Sequence, residues 1–384
     1  MTRKWACLAM SFTLMALFAC APKPASVPTT PTPQPPAPSP ASPVTSNIST
    51  PMSQDAAWSR VVEAAKKEGS VTVYAVTIIG DTGQAVADAF YKRYGIRVDI
   101  IAGPGSVLSE KIRTEQRMNQ VIADVAAELS AAFAVVLLQE GHLTPLVKEL
   151  PVLREDAWLV PPAMDDGGNI IRGFPSFHSP WINTDLVKPE EMPKSWPDLL
   201  DPRWKGKLLI MDPRTVAAPD RAIYTLTKYK IVEPNFFPRL VVQNLSIPAG
   251  VGMGPPFTAL AKGEGAVLIF GVDSQGGPVL KAGGHIRPTV LAGSVVGTSG
   301  AIQLIKNAPH PNAGKLFINF LLSQQGYELV TTIAQLGSLR KDVADRSVLA
   351  SLKPFNVIAN TIEEEIQISK NNREGVAAKV LGVQ

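Results

Sequence analysis

The run Val71-Thr72-Val73-Tyr74-Ala75-Val76, inside Ser70 to Thr77, is followed by a Gly-containing loop, an amphipathic stretch and a second β-branched run from Ile96 to Ile101. No other feature constrains the fold as strongly. Two strands with a helix between them pair in parallel through a right-handed crossover. Before them, Ala56 to Glu68 sets Trp58, Val61, Val62 and Ala65 on one helical face and stops at Gly69. The loop Ile78-Ile79-Gly80-Asp81-Thr82-Gly83 precedes a helix expected over Gln84 to Tyr94, and Ala102-Gly103-Pro104-Gly105-Ser106 leads into one over Val107 to Met118. Ligands of such sheets gather at the carboxyl ends of strands beside helix starts, where small residues let backbone amides approach. Gly-Pro-Gly-Ser is more often a plain turn and cap than a site, and it lacks the spacing of a phosphate-binding P-loop.

The N-terminus belongs to a different class of segment. Arg3 and Lys4 precede an apolar run from Trp5 to Ala19, interrupted only by Ser11 and Thr13. The pattern is that of a secretory signal over residues 1–19. It is shorter than the roughly 20 residues that span a bilayer. Leu17-Phe18-Ala19-Cys20 resembles the bacterial lipobox, with Phe18 bulkier than that pattern usually carries, and the resemblance implies lipidation of Cys20. An ordinary signal with a chance Cys in its tail is the alternative. From Ala21 to Ser53, prolines recur from Pro22 to Pro51 among Ala, Ser and Thr with Lys23 as the one charge. Such a segment buries too little apolar surface to offset its ordering entropy, so residues 20–54 are expected to be an extended tether.

The remaining stretch of about 330 residues exceeds one comfortable core, and two lobes are the expectation. Lys+Arg 37 against Asp+Glu 33 gives no footprint for nucleic acid. With Cys7 in the leader and Cys20 committed to lipid, no disulfide or thiolate metal site is expected. His142, His178, His285 and His310 are scattered, with no His-Glu-x-x-His pair and no Gly-x-Ser-x-Gly elbow. No catalytic constellation is therefore read. Glu363, Glu364 and Glu365 are expected on a solvated helix face, with Ile358, Ile362 and Ile366 packing beneath.

Several blocks carry a more specific resemblance: Val71 to Tyr74, Ala85 to Phe90 with Tyr94-Gly95-Ile96, and Ala123-Asp124-Val125. Further along come Trp196 to Lys207, Lys262-Gly263-Glu264, and His310-Pro311-Asn312-Ala313 before Leu316 to Leu321. Together they resemble the substrate-binding proteins of the ferric-iron-type branch of ABC importers. The resemblance implies an α/β, two-lobed type II periplasmic-binding-protein fold with the ligand in a cleft between lobes. One lobe is expected at 55–178 with 295–345, the other at 179–294 with 346–384.

Family logic places ligand contacts in strand-to-helix loops facing the cleft. Those loops offer Thr77, Asp81, Thr82, Gly105, Ser106 and Glu128 from the first lobe, and Arg214, Thr215, Asp273 and Ser274 from the second. His178, near the expected lobe crossing, joins them. Arg214 would clamp a carboxylate or phosphonate bidentately, or sit on the surface as most arginines do. Iron-holding members present adjacent tyrosines after the strand that follows Gly-Glu. Here that strand, Ala266 to Phe270, leads into Gly271-Val272-Asp273-Ser274, and the chain has no adjacent tyrosine pair. Glu128 and Asp273 remain as donors if a metal is bound, so ferric ion stands beside small organic anions, phosphonates and polyamines.

The reading that results is a lipid-anchored, exported, monomeric receptor without cofactor. It would hold a small molecule or ion and deliver it to ABC permease subunits at the outer face of the cytoplasmic membrane. An exported enzyme on a similar fold and a sensory receptor are the alternatives.

Overall fold

The first half alternates helix and strand in the order the periodicity demands. Helix α1 (Gln54–Glu68) precedes β1 (Ser70–Ala75), α2 (Gly80–Tyr94), β2 (Arg97–Ala102), α3 (Gly105–Met118), β3 (Val125–Leu129), α4 (Ala131–Gln139) and the short β4 (Leu143–Thr144). This computed structural model describes residues 54–383 except Val251, and only the backbone of Gln54, Ser294, Thr298 and Ser299. The expected leader at 1–19, Cys20 with its lipid, and the tether up to Ser53 lie outside the described residues. Strand β1 pairs in parallel with both β2 and β3, in register Val71 with Val98 and Val73 with Val125.

One expectation needs correcting here. Gly80 to Gly83, read as loop, is the first turn of α2, with Gly83 N–H donating to Ile79 O at 3.2 Å. Gly83 packs so closely that a Cβ would lie 2.9 Å from Ile78 O, so this glycine serves helix-to-strand packing rather than a flexible loop.

The second half opens with β5 (Ile171–Asn183), then β6 (Leu208–Leu209), α5 (Ala218–Lys228), α6 (Phe236–Val241), α7 (Gly254–Ala261), β7 (Val267–Val272), α8 (Asp273–Lys281) and β8 (Ile286–Pro288). The chain returns through β9 (Ser294–Ile305) to α9 (Pro311–Leu322) and α10 (Gln324–Ala334), and finishes with β10 (Asn356–Ala359), α11 (Ile362–Arg373) and α12 (Val376–Val380). The sheet runs β2-β1-β3-β9-β5-β7-β6. Strands β5 and β9 are long enough to serve both halves. Antiparallel to each other, they join β3 on one side through β9 and β7 on the other through β5.

Two cores lie on either side of that crossing. The first gathers Phe90, Phe317, Phe320 and Tyr327, the second Trp196, Trp204, Phe236 and Phe270. Burial of each such ring contributes about 1.5–3 kcal/mol, so the halves are separately cored. The pin that ties α9 to β1 is polar. Asp124, fully buried, accepts from Thr72 N at 2.7 Å, His310 N at 2.6 Å and His310 Nδ1 at 2.9 Å. The Ala-Asp-Val and His-Pro-Asn-Ala blocks thus meet in space.

The C-terminal segment, expected with the second lobe, contacts both halves. Ile362 and Ile366 pack with α3 and α4 residues in a further apolar cluster of the first half, while Ala377 and Leu381 enter the second core. Glu364 and Glu365 are buried rather than solvated, because α11 lies against α5, whose Arg221, Lys228 and Tyr229 receive them. Among the described residues no helix is long and apolar enough to cross a membrane.

Candidate functional site

Where β5 and β9 cross, the two halves enclose a cavity of about 530 Å³. Phe174, Pro175 and Ser176 of β5 and Gly300 of β9 contribute to its lining. From the first half come Val76 and Thr77 after β1, Gly105 at the start of α3, and Ser130 and Ala131 at the start of α4. From the second come Arg221 on α5 and Ser274 and Gln275 in the first turn of α8.

Three helix starts therefore face one space. Their caps, Pro104, Ser130 and Val272, make no side-chain capping bond. First-turn amides have no intrahelical acceptor, and the aligned peptide dipoles make such ends favourable for anions. Phe133, Phe174, Met253 and Leu336 supply apolar wall.

Glu128 is the strained element of the site. Its φ of 64° places it in the left-handed region, and the pairing of β9 shifts register on both sides of it, between Ala126 and Leu129 and between Arg172 and Pro175. A side chain with that backbone is costly and persists where its surroundings hold it. The carboxyl is pressed against the backbones of Gly173 and Gly300, and a Cβ on either glycine would collide with it. Its Oε1 accepts from Phe174 N at 3.2 Å, and Tyr327 Oη–H donates to Gly173 O at 3.0 Å behind it. Burial pushes the Glu128 pKa up to about 8, against a smaller opposing effect from the Phe174 amide. Near neutral pH it is mostly the uncharged acid.

Arg221 is the residue that sequence reasoning misses. The loop after β6 draws attention only as far as Thr215, whereas α5 starts at Ala218 and turns Arg221 toward the cavity. Pro219 sits in its first turn, and Asp220 accepts from Ala377 N and Asn372 Nδ2, each at 3.0 Å, anchoring this end to the tail. Arg221 Nη1 is ion-paired with Glu365 Oε1, with side chains 14% and 6% exposed. A guanidinium so held adds a fixed positive charge to the space that the helix starts share.

Of the residues expected at the site, the cavity brings together Thr77, Gly105, Glu128 and Ser274. Asp81 and Thr82 lie in the first turn of α2, away from it. Ser106 faces a groove on the outer side of α3 with Val107, Lys111 and Ile122. Arg214 forks onto Asp212, Nε to Oδ1 at 2.9 Å and Nη2 to Oδ2 at 3.0 Å, and Thr215 Oγ1 donates to Asp212 O at 3.2 Å. His178 is buried within β5 opposite Val272 and Val296. Burial, with the nearby Arg221 charge adding to it, lowers its pKa to about 3, so it is neutral.

Asp273 is buried and accepts from Ser274 N at 2.7 Å and Phe177 N at 2.9 Å. Burial pushes its pKa up to about 7. It lines a neighbouring cavity rather than the one holding Glu128, so the pair expected for a metal is divided. Among the described residues no group of three or more His, Cys, Asp or Glu is placed to hold a metal ion.

The family model for bacterial extracellular solute-binding protein matches residues 71–332. A candidate 2-aminoethylphosphonate-binding periplasmic protein of Salmonella typhimurium is 27% identical over 290 residues, covering 72% of this chain and 80% of that one. Among solved structures, the Trichodesmium protein FutA with iron and citrate superposes with a TM-score of 0.68 at 20% identity, covering 82% of this chain and 100% of that one. AfuA from Actinobacillus pleuropneumoniae, with fructose-6-phosphate bound, gives 0.58 at 19% identity, covering 80% and 98%. These two share the fold. With the match spanning most of the chain, the protein belongs to the bacterial extracellular solute-binding proteins.

Proposed function

We propose that this member of the extracellular solute-binding family captures a small organic anion, a phosphonate or phosphate ester foremost, in the cavity between its lobes and delivers it to an ABC permease. The observation that carries the reading is the convergence of three helix starts, those of α3 and α4 without a capping side chain, and Arg221 on a space whose one lining carboxyl, Glu128, is held neutral. The arrangement presents donors and positive potential without a competing charge. A highly charged cation would call for several anionic oxygen donors, and the cavity lining offers one carboxyl, the Glu128 acid, together with a guanidinium. Phosphonate and sugar-phosphate binding by the relatives agrees with this chemistry.

The two cores support lobes at 55–178 with 295–345 and at 179–294, closing about β5 and β9 by hinge motion. Lipidation of Cys20 and a Pro-rich tether would keep a monomeric receptor near its permease. Binding without turnover distinguishes this reading from an exported enzyme.

Purified protein is titrated with 2-aminoethylphosphonate, fructose 6-phosphate and ferric citrate while its thermal unfolding is followed. A ligand at about 100 times its Kd stabilises by about 2.7 kcal/mol. The expected outcome is stabilisation by a phosphonate or phosphate ester that Arg221→Gln removes, with the solute recovered unchanged. Stabilisation by ferric ion alone, or consumption of the solute, overturns the proposal.

A further inference from the structure

A second cavity, of about 300 Å³, adjoins the first across Ser274 and Leu336, which line both. One wall is a single face of α8, carrying Asp273, Gly277 and Lys281, and the other is the segment from Ala334 to Leu336 with Arg346 to Val348. It therefore lies between the same two halves as the first cavity.

Its charges are unevenly committed. The Asp273 carboxylate is engaged by the amides of Ser274 and Phe177. Asp345, beside it, takes the Ser347 hydroxyl at 2.6 Å and pairs with Lys353 at 2.8 Å. Lys281 and Arg346, by contrast, enter no ion pair among the described residues, although both line the cavity. Two exposed cations that enter no ion pair, on a cavity whose lining acid Asp273 already receives two backbone amides on Oδ1, leave a site with room for an anion.

We infer that the second cavity is a subsite for the far end of the solute, and that the preferred ligand is an extended molecule with an anionic group at each end. One end would lie at Arg221 and the three helix starts, the other between Lys281 and Arg346, with the connecting chain passing Ser274 and Leu336. This inference rests on the anion-receptor reading above. The chemical class is an ω-phosphono or phosphorylated carboxylate, or a bisphosphorylated small molecule. Together the cavities fall in the size range that holds such ligands.

The test is calorimetric titration of the purified protein with two matched series, alkylphosphonates and ω-phosphonocarboxylates of the same chain length. As the chain lengthens to span both cavities, the dianionic-ended series is expected to bind at least roughly tenfold more tightly than its alkyl counterpart, a factor equivalent to about 1.4 kcal/mol. Combining Lys281→Gln with Arg346→Gln should collapse that ratio toward one, whereas Arg221→Gln should weaken both series. Binding of alkylphosphonates with no advantage at any length, or an advantage that survives the double substitution, overturns the subsite and leaves the receptor reading standing. Failure of both series to bind overturns both.

Discussion

Glu128→Gln is the sharpest perturbation this fold offers, since the amide mimics the protonated acid while removing the titration. An unfolded Glu128 releases its proton near 4.5, the buried one near 8. Between those values the native state holds a proton that the unfolded chain has lost, so wild-type stability declines as pH rises through that window. At about 1.4 kcal/mol per pKa unit the decline attributable to Glu128 is at most about 5 kcal/mol. The amide oxygen that Glu128→Gln introduces can still accept from Phe174 N, and the space between Gly173 and Gly300 is unchanged in shape.

Urea unfolding of the two proteins at about pH 5, 6.5 and 8 reads the effect. Near pH 5 the two should be close. Toward pH 8 the Glu128→Gln protein should become the more stable by several kcal/mol, and the gap should level off above. Asp273, also raised by burial, to about 7, imposes its own decline on both proteins and cancels in the difference. A gap independent of pH, or a variant less stable at the alkaline end, would refute the reasoning that burial holds this carboxyl neutral.

The same ionisation should reach the ligand. Anion affinity is expected to fall as pH rises through about 8 in the wild type and to fall less in Glu128→Gln, measured as a ratio with one ligand so that the ligand's own titration cancels. Gly300→Ala, whose Cβ would lie 2.6 Å from Glu128 Cα, should cost about 1–3 kcal/mol in urea unfolding, as overpacking against backbone does. Asp124→Asn loses the charge that the Thr72 amide, the His310 amide and the His310 ring share, and a loss of about 1–3 kcal/mol is expected from thermal or urea melts. Glu365→Gln should destabilise by leaving the buried Arg221 charge uncompensated, and adding Arg221→Gln should restore part of the loss, a coupling that a double-mutant cycle measures.

Strand β1 and helices α1, α3 and α9 were legible because burial imposes period on them, and β2 because its Val98 and Ile100, half-buried against the first core, stand in a β-branched run. Val71 and Val73 are buried, and Leu316, Phe317, Phe320 and Leu321 face the core at helical spacing. The start of α2 was not. Gly80-Asp81-Thr82-Gly83 has loop composition, and only the close approach of Gly83 to Ile78 explains a helix there. The matched blocks proved to be structural joints: Asp124 meets His310, and Trp204 Nε1–H donates to Asp198 O at 2.9 Å within the Trp196 to Lys207 block. Local pattern identifies such residues, but the contact between them is a product of the tertiary fold.

Much of the site is of that second kind. Thr77, Gly105 and Ser274 come within a few residues after strands and Glu128 stands next to the last residue of β3, so the rule that ligands gather at strand ends reaches them. Arg221 sits inside a helix, and nothing local separates it from Arg214 or Arg203. What distinguishes it is Glu365, a residue 144 positions away on a helix whose acidic run reads as solvated. The residue two before that helix ties in the crossing strand, since Arg172 Nη2 donates to Asn360 O and Thr225 Oγ1 of α5 donates to Asn360 Oδ1 at 3.2 Å. The tail thus touches the strand about which the lobes would close, the helix that carries Arg221, and apolar clusters of both halves. An anion drawn to Arg221 competes with Glu365 for the same guanidinium, so binding would act on the tail as well as on the cleft. Charge patterning along one helix cannot show this, because the partner that buries Glu365 arrives only when the halves are assembled.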